Sequence, residues 1–143
     1  MKILGFEIKL PAFLRRDRRH GERARVFEDL FIDYRSQAPP RRGTGEGRDI
    51  STEGILFFSD DKLPPGMALE LRLRISPGIL QVQQIPVHAR VLRCERGFRE
   101  KQYRVACAFD PLDEPTCQQI QAYVAWLKQR EQNYLFFRYN NKK

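Results

Sequence analysis

The feature of this chain that most constrains its fold is a run, from Leu69 to Ile75, in which apolar and charged residues alternate strictly. The apolar positions are Leu69, Leu71, Leu73 and Ile75, and the charged positions between them are Glu70, Arg72 and Arg74. Successive side chains of a β-strand point to opposite faces, so this period of two predicts a strand with one face in a core and the other in water. Such half-buried strands are typical of antiparallel sheets.

Four further segments carry strand patterns and are separated by turn residues. They are residues 25–34, 55–58, 85–94 and 103–109. In contrast, residues 36–47 contain two prolines and three glycines. That composition is typical of a mobile connection, which could close over a bound ligand.

One helix is predicted after Asp113, because apolar residues then recur at the three- and four-residue spacing of an amphipathic helix. These residues are Ile120, Tyr123, Val124 and Leu127. Glu114 and Pro115 suit the first helical turn. We expect this helix to span about residues 114–131 and to be followed by an aromatic and basic tail over residues 132–143.

These elements predict an all-β fold, a small antiparallel β-barrel of about six strands with a C-terminal α-helix. The 143 residues are enough for a single hydrophobic core. We expect a lead segment over residues 1–14 and one domain over residues 15–131. That domain would begin with a flexible arginine-rich arm, residues 15–25.

The charge of the chain favours an anionic partner, because 26 Lys and Arg face only 18 Asp and Glu, a formal net charge of +8. In the opening segment, Glu7, Lys9 and Pro11 interrupt any apolar run of membrane length. We therefore expect a cytoplasmic protein that does not insert into a membrane.

The reactive residue types do not form a recognisable catalytic or metal-binding pattern. Cys94, Cys107 and Cys117 are odd in number and lack the CxxC spacing of zinc sites. His20 and His88 are too few for a typical metal site. G-x-S-x-G, H-E-x-x-H and G-x-x-x-x-G-K-[ST] motifs are all absent. We expect no metal, no catalytic residue and no enzymatic activity.

Two short motifs carry the functional signal. Arg19-His20-Gly21-Glu22-Arg23 precedes the first predicted strand, and Asp49-Ile50-Ser51-Thr52-Glu53-Gly54 leads into the apolar run at 55–58. They resemble the RxxxR and [D/N]xSxxG motifs of PilZ domains, in the same order along the chain. With the strand pattern and the late helix, the resemblance covers roughly residues 15–130.

The resemblance implies that the chain binds cyclic di-GMP, an anionic ligand with two guanine bases. Arg19 and Arg23 are the leading ligand clamps, since a guanidinium pairs bidentately with phosphate or with guanine O6 and N7. Arg15 and Arg19 form an overlapping RxxxR copy, and the register stays open between the two copies. Arg18 is a further candidate in the same arm.

The second motif would form the rigid half of this site. Asp49, as an ionised carboxylate, would accept the N–H donors of the guanine Watson–Crick edge, and Ser51 would donate or accept at short range. Gly54 would permit a close approach that a Cβ atom obstructs. Ligand binding would order the arginine-rich arm and signal to a protein partner, which the sequence does not identify.

Two other functions compete with this one. The first is a PilZ-like adaptor that does not bind nucleotide and acts in pilus or motility assembly through protein contacts. The second is a nucleic-acid-binding β-barrel, which explains the net charge but not the motif from Asp49 to Gly54, so nucleic acid is the less favoured partner.

Overall fold

A computed structural model describes residues 24–25, 30–78 and 81–141 of the chain. Seven strands are followed by one helix. They are β1 (Ala24–Arg25), β2 (Phe31–Gln37), β3 (Pro40–Ile50), β4 (Gly54–Ser59), β5 (Ala68–Gly78), β6 (Gln81–Arg96), β7 (Tyr103–Phe109) and α1 (Glu114–Asn141).

The strands form one antiparallel sheet in the order β1-β3-β2-β5-β6-β7-β4, and β4 pairs in turn with β3. This last pairing closes six strands, β2 to β7, into a barrel. β1 lies outside that circuit and pairs with the end of β3. The predicted all-β barrel of about six strands with a C-terminal helix is therefore confirmed.

The predicted alternation on β5 is confirmed, because its four apolar side chains are at most 2% exposed. They point into the barrel, while Arg72 and Arg74 remain on the outer face, partly or fully exposed. The strand predicted at 25–34 differs in detail. It corresponds to β1 and to the first half of β2, and residues 26–29 lie outside the described part of the chain.

The predicted mobile connection over residues 36–47 is wrong, because β2 runs to Gln37 and β3 begins at Pro40. Gly43, Gly45 and Gly47 are alternate residues of β3 and face inwards. A Cβ atom on Gly45 would lie 2.5 Å from the backbone oxygen of Phe58, and one on Gly47 would lie 2.5 Å from Leu30 Cδ2. These glycines therefore make room inside a sharply curved barrel, and the segment does not form a lid.

A hydrogen-bonded group lies inside the barrel beside Gly43. The hydroxyl of Tyr34, a side chain only 2% exposed, donates to Asp61 Oδ2 and lies 2.8 Å from Ser59 Oγ. The backbone N–H of Asp61 donates to the same Ser59 oxygen at 2.9 Å. Burial, reinforced by the hydrogen bond to Asp61, raises the pKa of Tyr34 well above its usual value.

The helix begins at Glu114 as predicted, with Asp113 as its N-cap. Asp113 Oδ1 accepts the backbone N–H of Thr116 at 2.8 Å. Hydrogen bonds from the Thr116 side chain and backbone lower the pKa of the Asp113 carboxyl. The four apolar residues that predicted the helix are buried in the common core.

The predicted helix end near residue 131 is wrong, since α1 continues to Asn141 and includes most of the predicted tail. The chain has no glycine or proline after Pro115 that would terminate it. α1 packs against β1 and β5.

Within the described residues, no helix combines the length and apolar character needed to cross a membrane.

Candidate functional site

The second motif lies on the turn between β3 and β4. Asp49 and Ile50 end β3, residues 51–53 form the turn, and Gly54 begins β4. Ile50 is buried in the core, whereas Asp49 is half-buried on the outer face of the barrel. The motif thus presents one carboxylate outwards, next to a short, strongly hydrogen-bonded turn.

Ser51 holds this turn together. Its side chain is 2% exposed, and its Oγ accepts the backbone N–H groups of Glu53 at 3.0 Å and Gly54 at 3.3 Å. The Ser51 N–H donates to the Gly54 carbonyl oxygen at 3.0 Å. The hydroxyl therefore satisfies two backbone donors of the turn.

Gly54 allows β4 to approach β7 closely. It pairs with Ala108, and an added Cβ atom would collide with the carbonyl oxygen of Cys107. The Phe109 N–H donates to the Glu53 carbonyl at 2.8 Å, which ties the turn to the end of β7. The close approach predicted for this glycine is therefore made to the protein's own backbone.

β1 brings the N-terminal arm to the same place. Ala24 pairs with Ile50 and Arg25 pairs with Asp49. Since Ala24 follows Arg23 in sequence, the chain that carries the first motif enters the sheet beside the second motif. Arg15, Arg18, Arg19 and Arg23 themselves lie outside the described residues.

The strand register also identifies neighbours of Asp49 that the sequence did not predict. Asp49 pairs with Leu56, Leu56 with Ala106, and Ala106 with Arg93. Ala106 is 1% exposed and Leu56 is half-buried. The row beside Asp49 is therefore apolar, with its alanine covered and an exposed basic side chain, Arg93, at its far edge.

Arg93 reaches this row because of a β-bulge in β6. Val91 pairs with Cys107 and Arg93 with Ala106, so the bulge between them inserts one extra residue. Arg93 Nε lies 3.8 Å from Glu95 Oε2. The pKa of Glu95 is lowered by its hydrogen bond with Arg104 and by the nearby charge of Arg93. A sequence pattern does not reveal such a bulge.

The described residues include no cluster of three or more His, Cys, Asp or Glu side chains that could hold a metal ion. His88 is exposed on β6, and Cys107 is buried in the core, which raises the pKa of its thiol. The site therefore offers a carboxylate acceptor, a buried serine turn and the half-buried side chain of Leu56. These groups can recognise a ligand that has N–H donors and a flat ring.

Comparisons with solved structures find the same fold in several proteins. The PilZ domain of Escherichia coli YcgR with c-di-GMP matches with a TM-score of 0.61 and 15% identity, over 82% of this chain and 97% of that one. The Bacillus subtilis inhibitor of motility MotI/DgrA matches with a TM-score of 0.62 and 19% identity, over 81% and 52%. MrkH of K. pneumonia, in its apo state, matches with a TM-score of 0.65 and 16% identity, over 79% and 52%.

The chain thus spans about half the length of MotI/DgrA and of MrkH. Among curated proteins, none matches it significantly in sequence. The family model of the PilZ domain matches residues 15–126, which include both motifs, the whole barrel and the first half of α1. On the strength of this match, and of a barrel that agrees with it, the chain belongs to the PilZ domain family.

Proposed function

We propose that this chain is a cytoplasmic receptor for cyclic di-GMP, with its binding site between the β3–β4 turn and the N-terminal arm. PilZ domains are receptor and adaptor modules, and cyclic di-GMP is the ligand of the family. The observation that carries the proposal is the pairing of Ala24 and Arg25 with Ile50 and Asp49. This pairing places β1, which begins directly after the first motif, beside the first two residues of the second motif.

The chemistry of the two motifs fits the two parts of the ligand. Arg19 and Arg23 bind the phosphodiesters and stack on a purine face, as only planar guanidinium groups can do. Asp49 accepts hydrogen bonds from the N1–H and amino group of one guanine. Ser51 and Gly54 keep Asp49 in position through the turn. Arg15 and Arg18 lie in the same arm, and Arg15 with Arg19 is the alternative register.

The signal passes from the arm to a protein partner. β1 pairs with β3 and also packs against α1. When the ligand orders the arm, the surface formed by the arm, β1 and α1 changes, and a partner can read that change. The energy for this switch comes from the difference in ligand affinity between the two arm conformations.

Calorimetric titration of the full chain with cyclic di-GMP tests the proposal, with GTP, cyclic di-AMP and single-stranded DNA as competing ligands. We expect saturable binding at a small stoichiometry to cyclic di-GMP alone. Single-stranded DNA that binds more tightly, with a steep salt dependence, would instead indicate the nucleic-acid function. Absence of any saturable heat with cyclic di-GMP would refute the receptor and favour an adaptor.

Three variants assign the roles. Arg23→Ala is expected to weaken binding by about 2–4 kcal/mol, since a charge pair with the phosphate is lost, which is at least tenfold in Kd. Asp49→Ala is expected to keep weak, salt-sensitive binding and to lose discrimination against cyclic di-AMP, whose adenine has an acceptor in place of N1–H. Arg72→Ala, an exposed arginine on β5, is the matched control and keeps wild-type affinity.

A further inference from the structure

The outer face of the barrel continues from Asp49 to a pair of phenylalanine side chains. Asp49 pairs with Leu56, and Phe58 lies two residues further along β4 on the same outer face. From strand spacings, the Cα atoms of Asp49 and Phe58 are roughly 8 Å apart. The half-buried Phe58 ring lies 6.1 Å from the ring of Phe98, with an interplanar angle of 53°.

Phe98 is exposed yet held firmly. It is 79% exposed, so the core does not account for its position. The backbone N–H groups of Phe98 and Arg99 both donate to Gln102 Oε1, at 3.0 and 3.2 Å, and the Gly97 N–H donates to the Gln102 carbonyl at 2.7 Å. A rigid turn thus presents a large apolar ring to solvent, next to Phe58.

A hollow of about 330 Å³ lies beside this pair. Its lining includes Phe58 and Phe31, the guanidinium groups of Arg99 and Arg74, and the carboxylates of Glu46 and Asp60. The Arg74 guanidinium lies 5.5 Å above the Phe31 ring and is held by Asp33 at 3.3 Å. Among the described side chains, the large exposed apolar groups are Phe31, Val82 and Phe98. Phe31 lines the hollow, and Phe98 adjoins it through its contact with Phe58.

Flat apolar rings with guanidinium groups at their edge are the chemistry of a base-stacking site for an anionic nucleotide. A single carboxylate at Asp49 can read the edge of only one guanine, whereas cyclic di-GMP has two. The Phe58–Phe98 pair lies on the same face, at a distance that a molecule with two purines can span. An apolar protein segment would also fit the rings, but it would not account for their continuity with Asp49.

We propose that Phe58 and Phe98 form a platform for the second guanine of bound cyclic di-GMP, with Arg99 near its phosphate. Phe98 stacks on the base, and the Phe58 ring, tilted by 53° to Phe98, contacts the edge of the base. This inference rests on the proposed receptor function. It adds a subsite contributed by the β6–β7 turn, which lies outside both sequence motifs.

Calorimetry with cyclic di-GMP on Phe98→Ala tests the platform, because removal of so exposed a ring leaves the core intact. Loss of one stacked base is expected to raise Kd by roughly 5- to 100-fold. Phe98→Tyr keeps the flat ring and is expected to stay within about threefold of wild type, on the same stacking argument. Val82→Ala, at a 70% exposed apolar residue away from the hollow, is the matched control and keeps wild-type affinity.

A second readout is independent of affinity. In the complex, NMR is expected to show nuclear Overhauser contacts between a guanine H8 proton and the ring protons of Phe98. If Asp49→Ala weakens binding but Phe98→Ala does not, and these contacts are absent, the platform is wrong while the receptor stands. If the wild-type chain does not bind cyclic di-GMP, both proposals fail.

Discussion

Replacement of Gly54 by alanine separates the structural part of the second motif from its ligand-reading part. Gly54 is hydrogen-bonded to Ser51 through both its N–H and its carbonyl, at 3.3 and 3.0 Å. It also pairs with Ala108 on β7. An added methyl group would meet the carbonyl oxygen of Cys107 closer than any real Cβ contact. Neither strand can retreat without breaking these bonds.

The size of the effect follows from two opposing contributions. Alanine in a strand is favoured over glycine by about 0.5–1 kcal/mol, because an alanine residue loses less conformational entropy than a glycine residue when the chain folds. Overpacking in a closely packed interior costs about 1–3 kcal/mol. Here the obstructing atom is backbone and cannot rotate away, so the upper part of that range applies. We expect the free energy of unfolding to fall by about 1–2 kcal/mol.

Urea unfolding followed by the fluorescence of the single Trp126 measures this change. With an m value of about 2 kcal/mol per molar urea, the middle of the usual range, the midpoint is expected to fall by roughly 0.5–1 M. Thr52→Ala, in the same turn, is the control and is expected to leave the midpoint almost unchanged. An unchanged or higher midpoint for Gly54→Ala would refute the reasoning and return Gly54 to a direct role at the ligand.

Two further variants test the interior and the helix start. Tyr34→Phe removes the hydroxyl that links Asp61 and Ser59 inside the barrel. We expect the free energy of unfolding, measured in urea, to fall by about 1–2 kcal/mol. A variant as stable as the wild type would show that water replaces the hydroxyl without loss of stability. Asp113→Ala removes the cap of Thr116 and is expected to lower Tm by roughly 2–6 °C at neutral pH. Folding lowers the pKa of Asp113 below its usual value of 3.8. The ionised carboxylate therefore contributes its full stabilisation of the folded state above pH 3.8, and this contribution is lost as the pH falls through the folded pKa. The difference in Tm is therefore expected to shrink as the pH falls below 3.8, and a constant difference from neutral pH to well below that value would contradict the assignment.

Local patterns were sufficient to predict the class of fold. Alternation on β5 and the three- and four-residue spacing on α1 report which face of each element is buried, and burial follows directly from residue polarity. The two motifs likewise indicated the candidate site residues. The prediction at 36–47 was wrong because glycine has two uses. It forms turns, and it also lets neighbouring strands and large side chains such as Tyr34 approach a strongly curved strand.

The sequence by itself determined the strand and helix types, the motif residues and the basic character of the chain, since each depends on residues close together along it. The tertiary structure alone decided how distant segments meet. It brought Ala24 beside Ile50, moved Arg93 into the row of Asp49 through a bulge, and set Phe98 against Phe58 on the outer face of the barrel. These relations depend on strand register and barrel closure, which arise from the summed packing of all six strands.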